Sequence, residues 1–200
     1  MEQNFESLRQ EIVDKSLEAF RQGLFSGTSG NMSCRVAPDE MLITPTSVRY
    51  EALRAQDIVR MTLDGTVVEG ALQPSSEWRM HAAVYKAYPE TNAVFHTHSP
   101  YATAFAVVRR SIPAVLIEAR IFLGGDVRCA DYATPGTKEV GMNAVPALFE
   151  RGGCTLANHG VLAVGEGLAQ AYLRAEYIED VAKIYTYAKA IGEPVVLDTL

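Results

Sequence analysis

Apolar and polar residues run along the chain in blocks whose period switches between helical and extended. Residues 5–22 carry Leu8, Ile12, Leu17 and Phe20 among charges, a helical spacing, and Gly23 supplies the stop. Residues 32–36 and 41–44 read as short strands joined at Pro38-Asp39, and residues 58–63 and 66–68 as a hairpin turning at Asp64-Gly65. Residues 76–88 have a helical pattern and 93–97 form a buried apolar strand. Pro100 then opens a helix over 100–108 with Ser99 as its cap. Residues 112–117 read as extended and 137–150 as helix. Strands at 155–157 and 161–164 enclose a turn at His159, and a long helix fills 168–191 until Gly192 and Pro194 end it. No repeat, linker or low-complexity run divides the chain, so residues 1–200 are expected to form a single α/β or α+β domain.

Composition narrows the function classes. A hydrophobic fraction of 48% over 200 residues is ample for one core. The net charge of −6 argues against nucleic acid or an anionic membrane surface as partner. No stretch approaches the roughly 18 apolar residues of a membrane span, and residues 1–7 show neither a basic n-region nor an apolar h-region, so a cytoplasmic location is expected. The three cysteines, Cys34, Cys129 and Cys154, are widely spaced, which indicates neither a disulfide framework nor a thiolate metal site.

Candidate chemistry concentrates at the four histidines, His81, His96, His98 and His159. Residues two apart on a strand share a face, so His96 and His98 can present two imidazoles to one point, as chelation needs; hydrogen-bonded structural histidines are the other reading. Ser75-Ser76-Glu77 opens a helical pattern. Hydroxyls and free N–H groups at a helix start suit an anion, while a first-turn Glu77 also serves simple capping, or pairs with His81 four residues on. Gly27-Thr28-Ser29-Gly30-Asn31 and Thr44-Pro45-Thr46-Ser47 are further loops rich in hydroxyls and backbone donors. Three such loops in one small chain point to a phosphorylated ligand.

Taken in order, these segments resemble the class II aldolase/adducin family. The matching pieces are Gly27-Thr28-Ser29-Gly30-Asn31, Leu42-Ile43-Thr44-Pro45-Thr46, Pro74-Ser75-Ser76-Glu77, His96-Thr97-His98, Tyr132-Ala133-Thr134-Pro135-Gly136-Thr137 and Asn158-His159-Gly160. The resemblance implies a three-layer fold with a central, mostly antiparallel β-sheet flanked by helices. It also implies a homotetramer with active sites between subunits. In its terms His96, His98, His159 and Glu77 hold a divalent ion, most often zinc. Gly30, Asn31, Thr46, Ser47, Ser75 and Ser76 bind a phosphate, with Ser47 standing where the family has glycine. The partner is then a small sugar phosphate.

The implied reaction is reversible cleavage of a ketose 1-phosphate, L-fuculose 1-phosphate or a similar deoxy-ketose phosphate, to dihydroxyacetone phosphate and an aldehyde. Such cleavage leaves negative charge on the enediol oxygens, which a divalent cation stabilises, and Glu77 would move the proton at the carbon that becomes nucleophilic. Lys15, Lys86, Lys138, Lys183 and Lys189 read as solvated charges, so no Schiff-base lysine is expected.

Two features separate branches of the family. The 4-epimerase branch, which acts on pentulose 5-phosphates, resembles Ser-Ser-Asp where this chain has Ser-Ser-Glu. The tyrosine expected after Ile112-Pro113-Ala114 is missing, and the segment up to Gly124-Gly125 is one residue longer. Glu118 is the nearest candidate for proton transfer there, which keeps a methylthioribulose-phosphate-like dehydratase as a rival; an ion pair of Glu118 with Arg120 is the structural alternative. Tyr101 is another possible donor. The run beyond Pro194 is short beside the C-terminal tail such enzymes close over substrate.

Overall fold

The computed structural model describes residues 5–197. Helix α1 (Glu6–Arg21) leads into strands β1 (Asn31–Ala37) and β2 (Glu40–Ile43), then β3 (Val59–Thr62) and β4 (Val67–Glu69). Helix α2 (Trp78–Ala87), β5 (Ala93–Thr97), α3 (Pro100–Val107), α4 (Ile117–Leu123) and β6 (Arg128–Ala130) follow, and α5 (Lys138–Leu148), β7 (Gly153–Leu156), β8 (Gly160–Gly165) and α6 (Leu168–Ile191) complete the chain. One eight-stranded sheet runs β4-β3-β2-β1-β5-β8-β7-β6. Every pairing is antiparallel except β6 with β7.

Strands β5 and β8 sit at the centre, and all of their residues are buried. That is why both read as continuous apolar runs rather than alternating ones. Alternate side chains of β5 feed two cores. Phe95 packs with Ile12, Ala102, Leu123 and the α6 stripe on one face, and Val94 packs with Met80, Val84, Val140 and Ala144 on the other. The molecule is therefore the expected three layers, with α1, α3, α4 and α6 on one side of the sheet and α2 and α5 on the other. Helix α6 turns Leu168, Ala171, Tyr172, Ala175, Ile178, Val181 and Ala182 inward, the i, i+3, i+4, i+7 stripe that its sequence carries. Burying each large apolar side chain of such a stripe contributes about 1.5–3 kcal/mol.

The expected bounds of β5 and α6 coincide with the observed ones. Elsewhere the structure differs. Residues 112–117 contribute only a bridge between Ile112 and Val127, and Ile117 opens helix α4 instead of ending a strand. Strand β6 has no sequence signature, because its three residues have no alternation of their own and are extended by parallel pairing with β7. Helix α2 begins at Trp78, two residues later than its pattern suggests, since Glu77 has left helical geometry at the N-cap position. Ser99 does occupy the N-cap of α3 but makes no capping hydrogen bond. Glu179 of α6 accepts from the backbone N–H groups of Tyr101 and Ala102 instead, at 3.0 and 2.8 Å.

Candidate active site

Strand β5 delivers His96 to the face that also carries Val94, and His98, two residues on, turns the same way. His98 is pinned by its backbone N–H to the Leu24 carbonyl at 3.1 Å. The β7–β8 hairpin supplies the third imidazole. Leu156 pairs with Gly160 across a tight turn in which Asn158 sits at φ +55, a left-handed conformation asparagine tolerates better than most residues. Arg109 Nε donates to Asn158 Oδ1 at 3.0 Å, and the Asn158 N–H reaches the Ala106 carbonyl, so α3 braces the turn that presents His159. The three rings lie 4.7 to 5.1 Å apart between centroids. Gly160 lets them close up: a Cβ there would stand 3.1 Å from His96 Cε1 and 3.3 Å from His98 Cδ2 and would strike the Thr97 carbonyl.

Glu77 closes the cluster from the start of α2. Its carboxylate oxygens lie 3.1 Å from His96 Nε2 and 3.1 Å from His159 Nε2. The donor atoms of Glu77, His96, His98 and His159 all fall within 4.8 Å of one another. Ring orientation shows what belongs between them. His96 Nδ1 donates to the Val161 carbonyl at 2.8 Å, so a neutral His96 turns the lone pair of Nε2 toward Glu77 and toward His98 Nε2, 3.0 Å away. A carboxylate oxygen and an imidazole lone pair facing one another at that range call for a cation. The buried Glu77 Oε1 and His159 Nδ1 also lack a hydrogen-bond partner. Three imidazoles and a carboxylate suit a divalent transition metal of the zinc type.

Protonation agrees with that role. Burial would raise the Glu77 carboxyl, but when His96 and His159 carry a proton their charge outweighs it and holds the group well below the usual carboxylate range. Burial, followed by the neighbouring charges of His96 and His159, pushes His98 down to about 4. An ionised carboxylate and a neutral imidazole are the forms that ligate metal.

Beside the cluster lies a cavity of about 430 Å³. It is lined by Gly30, Asn31, Thr46, Ser47, Ser75, Ser76, Glu77, His98 and His159, so the structure brings together all the expected phosphate-binding positions and three of the four expected metal ligands at one opening. His96 lies fully buried beneath them. Thr28, Ser29, Pro135 and Gly136 also line the opening. The loops are zipped together: Thr46 N–H donates to the Gln73 carbonyl and Ser75 N–H to that of Thr44, each at 3.0 Å. Tyr50 Oη lies 3.0 and 2.7 Å from the carbonyls of Ser29 and Gly30 and anchors the first loop from below. Gly30, at φ +87, has no room for a side chain, since a Cβ would meet the Phe25 ring and the His96 carbonyl. Ser47 adopts φ +61, which is the physical reason a glycine is favoured at that position.

Other expectations are modified. Ser75 Oγ accepts from the Glu77 N–H at 3.3 Å, and Glu77, rather than lying in the first turn of α2, turns its carboxylate to the histidines. Asn31 has a second task beyond lining the cavity, for its Nδ2 donates to Glu77 Oε2 at 2.9 Å. His81 makes no pair with Glu77; its ring meets Asn31 and Ser33, a role that its spacing from Glu77 did not reveal. Glu118, second residue of α4, does not line the cavity of its own chain, and among the described residues it forms no ion pair with Arg120. Tyr101 is likewise remote, its hydroxyl 2.7 Å from that of Tyr187. No lysine lines the cavity among the described residues.

Fold and site define a three-layer protein with a three-histidine, one-carboxylate cluster suited to metal-assisted chemistry beside a hydroxyl-lined cavity. Residues 10–186 match the family model of the class II aldolase and adducin N-terminal domain, and the chain belongs to that family. Within it the chain stands with the sugar-phosphate aldolases. The L-fuculose phosphate aldolase of Escherichia coli (strain K12) is 42% identical over 195 residues, 98% of this chain and 89% of that protein. The 5-deoxy-D-ribulose 1-phosphate aldolase of Bacillus thuringiensis serovar kurstaki is 40% identical over 190 residues, 94% of this chain and 89% of that enzyme. Among solved structures, an L-fuculose 1-phosphate aldolase superposes with a TM-score of 0.91 at 41% identity, covering 96% of this chain and 90% of that one.

Proposed function

We propose that the chain cleaves a ketose 1-phosphate, L-fuculose 1-phosphate or a related deoxy-ketose such as 5-deoxyribulose 1-phosphate, reversibly to dihydroxyacetone phosphate and an aldehyde. The observation that carries this reading is the position of Glu77, which joins a three-histidine cluster on one side and a hydroxyl-lined cavity on the other. His96, His98, His159 and Glu77 would hold zinc, whose Lewis acidity stabilises negative charge on the ketose oxygens as the carbon–carbon bond breaks. Ser75, Ser76, Thr46, Ser47, Gly30 and Asn31 would bind the phosphate, and so place the cleaved bond at the cluster end of the cavity. Glu77, kept ionised, exchanges the proton at the carbon that becomes nucleophilic. A cavity without a lysine among the described residues supports this chemistry over an imine route. The named relatives are aldolases, which sets aldol cleavage ahead of dehydration or epimerisation.

Proton delivery on the aldehyde side needs another group, since Glu118 lies outside its own cavity. A homotetramer with sites between subunits would bring Glu118 of the partner subunit there. Support comes from Val107, Val108, Ile117, Ile121, Met142 and Phe149, large apolar side chains left exposed on a single copy. A cytoplasmic location fits a chain whose described helices include none long and apolar enough to cross a membrane. The test is product formation from L-fuculose 1-phosphate by zinc-loaded and chelator-treated protein, together with Glu77→Gln. The variant is expected to keep its zinc and lose proton exchange on dihydroxyacetone phosphate. Undiminished exchange would remove Glu77 from the mechanism, and a dehydrated ketone in place of two fragments would replace cleavage by dehydration.

A further inference from the structure

Among the four histidines, His81 alone stands outside the metal cluster, yet it is fully buried and bonded at both nitrogens. Nδ1 lies 2.6 Å from Ser33 Oγ, which in turn lies 2.8 Å from Tyr85 Oη. Nε2 lies 2.5 Å from Asn31 Oδ1, and Asn31 Nδ2 donates to Glu77 Oε2 at 2.9 Å. One proton arrangement satisfies the whole chain. An ionised carboxylate only accepts, so Asn31 turns its NH₂ to Glu77 and its oxygen to His81. That oxygen also only accepts, so His81 carries its proton on Nε2. Nδ1 then accepts from the Ser33 hydroxyl, and Tyr85 donates to Ser33. Burial, followed by the charge of His96, pushes His81 down to about 3 against the pull of Glu77, which keeps the ring neutral as this arrangement requires.

We propose that His81 is a positioning residue that acts on the catalytic carboxylate through Asn31: by donating from Nε2 to Asn31 Oδ1 it holds in place the amide whose NH₂ donates to Glu77. With the amide reversed, its oxygen would confront the carboxylate where the NH₂ now donates, and Glu77 would lose a charge-assisted bond that fixes Oε2 relative to the cluster. The proposal rests on the aldolase reading, because the proton that Glu77 exchanges belongs to that reaction.

The experiment compares wild type, His81→Leu, His81→Gln and Ser33→Ala. Leu removes both bonds of the imidazole at similar volume, whereas Gln retains an amide donor at the end of the side chain. Ser33→Ala keeps the ring and its bond to Asn31 and removes only the hydroxyl at Nδ1. Zinc content and steady-state cleavage of L-fuculose 1-phosphate are measured, and the imidazole nitrogens are followed by ¹⁵N NMR on metal-free and zinc-loaded protein. His81→Leu is expected to bind full zinc and keep its KM within about twofold while kcat falls roughly 10- to 100-fold, the factor associated with one hydrogen bond to a charged group. His81→Gln should recover most of that loss. The NMR spectrum of wild type should show His81 neutral with the proton on Nε2, and Ser33→Ala, with the Asn31 oxygen still accepting, should keep that tautomer and lose less kcat than His81→Leu. Wild-type kcat in His81→Leu, a loss that Gln leaves unrepaired, or a proton on Nδ1 of wild type each overturns the proposal. If His81→Leu fails to fold, the tautomer of wild type and of Ser33→Ala decides it, since a proton on Nδ1 in either overturns the proposal. If wild type does not cleave the ketose phosphate, the aldolase reading fails by itself, and the tautomer measurement still judges the lock.

Discussion

Gly160→Ala is the sharpest perturbation of the metal cluster that leaves every ligand in place. The position has no left-handed requirement, so backbone conformation alone would make alanine stabilising by about 0.4–1 kcal/mol through the unfolded chain. Packing acts the other way. The added methyl would meet the Thr97 carbonyl on the neighbouring central strand and crowd the His96 and His98 rings at 3.1 and 3.3 Å. A backbone oxygen between registered strands cannot rotate aside, so β5 and β8 must part or the rings must tilt. Overpacking of this kind costs about 1–3 kcal/mol, which leaves a net loss of about 1–2 kcal/mol in the metal-free protein. Displacing two ligand rings by a few tenths of an ångström is expected to weaken zinc by about 10- to 100-fold, as loss of ligand-orienting contacts does elsewhere. Urea unfolding of metal-free protein and zinc competition against a chromophoric chelator measure the two effects. Gly167→Ala, where a Cβ would meet nothing within 4 Å, is the control and should be near neutral. A Gly160→Ala protein as stable as wild type with unchanged zinc affinity would refute the packing account.

Three further outcomes follow from the same geometry. Ser47→Gly should stabilise the metal-free protein by up to about 1 kcal/mol in urea unfolding, because Ser47 is held at φ +61; a loss of stability would mean that its hydroxyl matters more than its backbone. Glu179→Ala should cost about 1–2 kcal/mol by the same assay, since its carboxylate alone caps the α3 N-terminus through Tyr101 and Ala102, and an unchanged midpoint would contradict that. Metal-free protein should also lose stability as pH falls. His81 is depressed to about 3 and His98 to about 4, so the unfolded chain takes up protons first, and the contribution present above about pH 6.5 disappears toward pH 3. His81 alone accounts for about 3 kcal/mol between pH 8 and pH 4. A flat stability profile over that range would be incompatible with its burial.

What could be read from the sequence follows the range of the forces involved. The His-x-His face comes from strand periodicity alone, and His96 and His98 meet as that period requires. Strand β5 and helix α6 were legible because each has an unbroken local pattern. Helix α4 was not, since only Ala119 and Leu123 of its seven residues are fully buried while Ile117 and Ile121 face outward, the reverse of the usual cue. Strand β6 exists through its partner. Glu77 came to the site only by its resemblance to a family motif, because nothing local says that its side chain leaves the helix for histidines 19 and 82 residues away. The His81 ring points at Ser33 and Asn31, some 50 residues upstream, and the cap on α3 comes from Glu179, about 77 residues downstream; neither leaves a mark on short-range spacing.

The pairing of Thr97 with Val161 and of His96 with Leu162 makes the cluster a test of alignment. A one-residue slip between β5 and β8 would swap the faces of their side chains, sending the His96 ring into the apolar layer under α6 and dissolving the site. A bound cation therefore recognises one registry of the central sheet and no other. At a thousandfold excess over its dissociation constant it deepens that registry by about 4 kcal/mol relative to every misaligned alternative. The ion that serves catalysis would thus act earlier as an assembly checkpoint, retaining chains whose middle strands have zipped correctly.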